Sequence, residues 1–188
     1  MARTPSVMKA LGTPASGFTL PDTVSGRQLS LQELKGRIAT AIFFICNHCP
    51  FVKHVNPELV RLANDYAGKD ISFIAISAND AEAYPEDGPD KMNEAAEALQ
   101  YPFPYLYDET QQTAKDYEAA CTPDFFIYDG NLQLAYRGQL DDARPGNGIP
   151  VTGNDIRYAL DHLLDGRPVS TAQKPAIGCN IKWKETSL

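Results

Sequence analysis

Ala39-Thr40-Ala41-Ile42-Phe43-Phe44-Ile45-Cys46-Asn47-His48-Cys49-Pro50 is the stretch on which the reading of this chain turns. Its first seven residues are apolar except for Thr40 and show no polar alternation, as expected of a strand buried on both faces. Two cysteines three positions apart follow. From Pro50 to Tyr66 the residues Val52, Val55, Leu59, Val60, Leu62 and Ala63 recur at helical spacing, and Gly68 closes the segment. Pro57 sits inside this pattern and is expected to kink or divide the helix. Thiols straddling the first turn of a helix are close enough to form a disulfide, and the positive end of the helix favours a thiolate there. Cys46 is expected at the helix start, with Cys49 one turn further in and less exposed. The junction points to thiol-disulfide chemistry.

Outward from that junction, Ile71 to Ser77 predicts a second central strand, Tyr105-Leu106-Tyr107 a short one, and Phe125 to Tyr128 another. Asp129-Gly130-Asn131 reads as a tight turn, with Leu132 to Leu140 returning as the second arm of a hairpin. Helices are expected over Lys91 to Gln100, Thr110 to Ala120 (starting near Asp108) and Ile156 to Leu164. Before the junction, Phe18-Thr19-Leu20-Pro21 and Val24 to Leu29 form two extended pieces around a turn, and Ser30 with Glu33 has capping-box spacing. The segments Asn79 to Asp90 and Asp141 to Gly153 read as surface loops, and the tail Pro168 to Leu188 lacks periodicity. Strands alternating with helices, then an antiparallel hairpin and a last helix, give an α/β architecture: a mixed sheet with helices on both faces. No internal repeat or linker divides the chain. A single domain over 1–188 is expected, its core at about 15–165 and its 166–188 tail packed on it.

With 188 residues, 43% hydrophobic and 22% charged, the chain is long enough to bury about 70% of its unfolded surface without structural disulfides or metals. The net charge of −7, with no basic cluster, argues against a nucleic-acid or anionic-membrane partner. The apolar run from Ala39 is far short of the ~20 residues of a membrane helix, and Met1 to Phe18 has no apolar segment of signal-peptide length. A cytoplasmic location is expected. In such a reducing compartment a close C-x-x-C pair is catalytic or metal-binding more often than a permanent staple.

The strand, the Cys46-Asn47-His48-Cys49 motif, the Pro57-interrupted helix and Thr122-Pro123 ahead of the Phe125 strand together resemble the thioredoxin superfamily. More narrowly the chain is similar to its redoxin branch, the alkyl hydroperoxide reductase/thiol-specific antioxidant proteins, whose openings resemble Phe18-Thr19-Leu20-Pro21-Asp22. The segments Asn47 to Val52 and Ala176 to Trp183 further resemble a group of uncharacterised bacterial thioredoxin-like proteins. The resemblance implies a thioredoxin-like three-layer sandwich with an N-terminal hairpin extension, Cys46 as the attacking thiol and Cys49 as the resolving one. It also implies a cis Pro123 facing the cysteines, leaving the Thr122 backbone to pair with an extended substrate.

His48, with Asn47 beside it, lies between the thiols. A protonated imidazole there would stabilise a thiolate and raise the reduction potential; a solvated histidine at a helix start is the plainer reading. Cys121 is either a buried thiol or a third redox cysteine. Cys179 is either a small residue packed beside Trp183 or an additional resolving thiol, should the tail fold over the site. His54 and His162 read as helix-surface residues, Asp141-Asp142-Ala143-Arg144 as a solvated loop, and Tyr101 to Tyr107 as core and rim packing.

The leading function is therefore a thiol-disulfide oxidoreductase. Its partners would be protein or small-molecule disulfides and a dithiol redox protein, with no bound cofactor. A thiol peroxidase is the second reading: Cys49-Pro50 matches the peroxiredoxin Cys-Pro step, Cys46 stands where those enzymes have Thr, and Arg137 is the candidate arginine. The third is a non-enzymatic metal-binding or copper-delivery protein using Cys46, His48 and Cys49. No second C-x-x-C supports a closed zinc site, and Pro50 in place of His removes covalent haem attachment.

Overall fold

The computed structural model describes residues 3–185. In chain order these form β1 (Arg3–Pro5), β2 (Thr19–Pro21), β3 (Gln28–Ser30), α1 (Leu31–Leu34), β4 (Ala39–Phe44), α2 (Pro50–Asp65), β5 (Ile71–Ser77), α3 (Pro89–Leu99), β6 (Tyr105–Tyr107) and α4 (Gln112–Tyr117). The remainder are β7 (Cys121–Thr122), β8 (Asp124–Asp129), β9 (Leu134–Gly138), α5 (Asn154–Leu164) and β10 (Ile177–Asn180).

Five strands build the central mixed sheet in the order β6-β5-β4-β8-β9. The apolar run takes the middle position: β4 is parallel to β5, with Ala39 opposite Ile71, and antiparallel to β8, with Ala39 opposite Asp129. All six of its residues are buried because each face of the sheet is covered. Ala39, Ala41 and Phe43 join the layer of α2, α3 and α5, whereas Ile42 and Phe44 join that of α1, α4 and the β2–β3 hairpin. Phe43 meets Phe125 edge-on with ring centroids 5.6 Å apart, and on the opposite face Phe44 meets Phe126 at 5.9 Å. Burial of each such ring contributes about 1.5–3 kcal/mol before the cost of ordering it. Ser30 and Glu33 form the expected reciprocal capping box that starts α1.

Four expectations need correction. The helix α2 runs unbroken through Pro57. Lys53, whose carbonyl loses its partner to the proline, and Pro57 itself are both exposed, so water can take the freed oxygen. The helix over 110–120 is only Gln112–Tyr117, ended by Glu118 in a left-handed conformation with φ 56°. The segment Asn79 to Asp90 is no simple surface loop: Asn79 and Asp87 are buried. And the tail forms β10, the centre of a second sheet ordered β1-β10-β7. Among the described residues no helix is long and apolar enough to cross a membrane.

Candidate active site

The site lies where β4 hands over to α2. Proline at the first helical position has no N–H to lose and holds the preceding residue extended, which fixes where the helix starts. The helix begins at Pro50, and Cys49, with φ −67° and ψ 121°, is its N-cap. Cys46 therefore sits on the strand side of the junction rather than at the helix start. Cys46 and Cys49 are equally buried, at 1% and 0% exposure. The expected difference in exposure is absent.

The loop joining the two thiols is latched by Asp87, which sequence reasoning passed over. This fully buried carboxylate accepts the backbone N–H groups of Asn47 at 2.8 Å and His48 at 3.2 Å through Oδ1. Its Oδ2 accepts the Asn79 amide at 2.8 Å and hydrogen-bonds Nδ1 of His48. His48 is stacked on Tyr84 with ring centroids 5.3 Å apart, so it is not the freely solvated histidine of the plainer reading. Asn47 donates to the Glu86 carbonyl at 2.8 Å and accepts from the Tyr105 hydroxyl at 3.1 Å, acting as a clamp on the loop. The only sequence signal for Asp87 was an acid inside a Pro- and Glu-rich loop, which ordinarily marks solvent.

Opposite the loop, Thr122-Pro123 is a cis peptide. Cys46 Sγ lies 3.5 Å from Thr122 Oγ1, and Cys49 Sγ lies 3.1 Å from the Thr122 carbonyl oxygen and 2.9 Å from Cys179 Sγ. Cys121 Sγ contacts the Pro123 carbonyl at 3.6 Å. All four cysteines of the chain thus gather around one turn; they are buried, and no disulfide joins them. Hydrogen bonding from Cys46, with further donation from Cys179, Thr122 and the Val52 N–H, outweighs burial and pulls the Cys49 thiol down to about 4. The same bond to Cys49, then burial and the charge of Asp87, raises Cys46. Burial first, then the bond to Cys49, pushes Cys179 up to about 12, and burial raises Cys121. Cys49, the N-cap of α2, is the thiol of the pair that the positive end of the helix favours as an anion.

Three sequence-assigned roles change. The Thr122 backbone is not open to an added strand, because β10 pairs with β7 there, Cys179 opposite Thr122 and Asn180 opposite Cys121. Cys179 consequently packs on Cys49 rather than serving only as a small tail residue. Arg137 faces the wrong side of the sheet. It lies opposite Phe126, whose ring belongs to the layer away from the thiols, and its backbone and guanidinium both donate to Gln173 Oε1. Elsewhere, His54 is half-buried with its Nε2 unpartnered, and Asp141 is buried, accepting N–H groups from Ala143, Thr152 and Gly153.

Ligand atoms of Cys46, His48 and Asp87 lie within 4.8 Å of one another, the arrangement a metal ion would use. Both carboxylate oxygens of Asp87 are already committed to two donors each, however, which accounts for this cluster as a hydrogen-bonded latch.

A mixed sheet between helical layers, with paired thiols beside a cis-proline, defines a thioredoxin-like protein. The model of the AhpC/TSA family matches residues 11–137, and the chain belongs to that family, a redoxin of the thioredoxin superfamily. It is similar to an uncharacterized conserved protein from Geobacillus kaustophilus at 61% identity, over 100% of this chain and 99% of the other, with a TM-score of 0.98. A hypothetical protein from Sinorhizobium meliloti is 49% identical over 97% of this chain and 100% of its own, with a TM-score of 0.95. The thioredoxin domain of a thiol-disulfide oxidoreductase from Bacteroides vulgatus shares the fold at 18% identity, covering 69% of this chain and 88% of that domain, with a TM-score of 0.58. Among curated proteins nothing matches.

Proposed function

We propose that the protein is a thiol-disulfide oxidoreductase whose working couple is Cys46 and Cys49. The observation that carries this reading is the pair itself: two buried thiols at the strand-to-helix junction, both against Thr122 of the cis-proline turn, with Cys49 at the helix N-cap. The N-cap position suits Cys49 to attack and Cys46 to resolve, the reverse of the roles the family resemblance implied. The Cys49 thiolate attacks a substrate disulfide, forming a mixed disulfide and releasing one substrate thiolate, which takes up a proton. Cys46 then gives up its proton and attacks Cys49 Sγ, forming the Cys46–Cys49 disulfide and releasing the second substrate thiol. A partner dithiol returns the pair to its reduced state. Asp87, through the amides of Asn47 and His48, positions the loop for both steps.

The test is reduction of a model disulfide, or of insulin, by wild type, Cys46→Ser and Cys49→Ser. Turnover is expected to vanish in Cys49→Ser and to fall in Cys46→Ser, with a substrate mixed disulfide accumulating on Cys49 in the Cys46→Ser/Cys179→Ser double variant; wild-type rates in Cys49→Ser would overturn the proposal.

The Cys49-Pro50 step at an N-cap favours a second reading, a thiol peroxidase with Cys49 as the peroxide-reducing residue. It ranks lower because Arg137, the candidate arginine, lies on the far face of the sheet. Rapid peroxide consumption that depends on Cys49 and survives Cys46→Ser would reverse this order. A cytoplasmic setting, with disulfide substrates and a dithiol redox protein as partners, belongs to the same proposal.

A further inference from the structure

We propose that Cys179 is a third catalytic thiol, presented to Cys49 by the tail strand β10 from the position a substrate strand would take. This rests on the dithiol reading above and deepens it.

The two sulfurs are 2.9 Å apart although 130 residues separate them in the chain. The contact is built into the fold. Along one edge β10 pairs with β7, and along the other with β1, where Arg3 stands opposite Cys179. Gly178 brings the strand so close that an added Cβ would overlap the Thr122 carbonyl oxygen and stand 3.1 Å from the Pro123 nitrogen. Beyond the strand, Ile181 N–H bonds the Ala120 carbonyl at 3.2 Å, and Lys182 N–H bonds Asn79 Oδ1 at 2.9 Å. The amide of that same Asn79 donates to Asp87. One side chain thus ties the tail to the latch of the Cys46–Cys49 loop, keeping both thiols of the contact in register.

The chemistry is an internal exchange that needs no added oxidant. Starting from the Cys46–Cys49 disulfide, Cys179 loses its proton and attacks Cys49 Sγ. The Cys49–Cys179 bond forms as the Cys46–Cys49 bond breaks, and Cys46 leaves as a thiolate and takes up a proton. The oxidation level of the protein is unchanged; the disulfide has moved onto the tail. From there a dithiol partner that engages the tail can receive it, while β10 keeps the Thr122 edge closed to other extended chains.

Reduced wild-type protein is treated with one equivalent of diamide, quenched in acid, alkylated, and its disulfides mapped by peptide mass; Cys46→Ser and Cys179→Ser are treated alike. Wild type is expected to give both linkages, Cys46→Ser the Cys49–Cys179 linkage as its main oxidised form, and Cys179→Ser the Cys46–Cys49 linkage alone, with model-disulfide turnover lowered by about tenfold or more. A Cys46–Cys49 disulfide in wild type with Cys179 fully alkylated, there and in Cys46→Ser, overturns this inference and leaves the dithiol reading standing. The absence of both linkages from wild type overturns both. The wild-type arm requires no variant to fold.

Discussion

Asp124 opens β8 directly after the cis-proline, and its behaviour with pH follows from its surroundings. It is fully buried; Oδ2 accepts the Ala120 N–H at 3.1 Å, and Oδ1 has no hydrogen-bond partner among the described residues. Burial disfavours the ionised form and outweighs the N–H groups of Ala120, Cys121 and Phe125, raising its pKa from 3.8 to about 7. The unfolded chain sheds this proton near 3.8 while the folded chain keeps it until about 7. Over that interval the native state binds more protons, so stability falls with rising pH by about 1.4 kcal/mol per unit, about 4 kcal/mol in all. A loss of this size is a large part of the total stability of about 5–15 kcal/mol of a domain. Asp124→Asn keeps the shape and the acceptor for Ala120 but cannot ionise. Its amide leaves a donor unmet at every pH, a constant cost of about 1–3 kcal/mol. Urea unfolding of both proteins under reducing conditions from pH 4 to pH 8 measures the difference. The variant is expected to gain on wild type steadily with pH, its relative midpoint moving by about 2 M urea across the range. Parallel profiles for the two proteins would refute the reasoning.

Removal of the latch by Asp87→Ala strands the N–H groups of Asn47 and His48 and the Asn79 amide; the expected loss is about 3–5 kcal/mol in chemical denaturation, and a loss below about 1 kcal/mol would mean that the loop holds itself. Titration of thiolate absorbance should show one thiol ionising near its low value of about 4, absent from Cys49→Ser and present in Cys121→Ser; a single ordinary thiol titration would contradict the assigned anion. In Gly178→Ala the new methyl overlaps the Thr122 carbonyl, so β10 is expected to lift at a cost of about 1–3 kcal/mol, and alkylation of Cys49 to accelerate. Unchanged alkylation would show that the tail does not cover the site.

Much of the architecture was legible because its signals are local. A run apolar at Ala39, Ala41 and Phe43 as well as at Ile42 and Phe44 has no polar face to give to water, and only a central strand between two helical layers satisfies that. The cysteine motif was equally plain, and the Cys49-Pro50 step already contained the N-cap assignment, since a proline at the first helical position starts the helix after Cys49 and not at Cys46. What could not be read locally were features that exist only through pairing. The three strands of the second sheet, two to four residues long, are too short to show alternation, and β10 is held by β1 and β7 rather than by its own propensity. Asp87 looked like one more acid in a solvated loop, because nothing near it in sequence announces the four donors that make its burial tolerable. These non-local pairings shape the surroundings of the thiols. An exposed β7 edge would present unpaired backbone groups that invite any extended chain. Covering it with the chain's own tail both closes that edge and sets the Cys179 sulfur against Cys49, so a single pairing accounts for both features of the site.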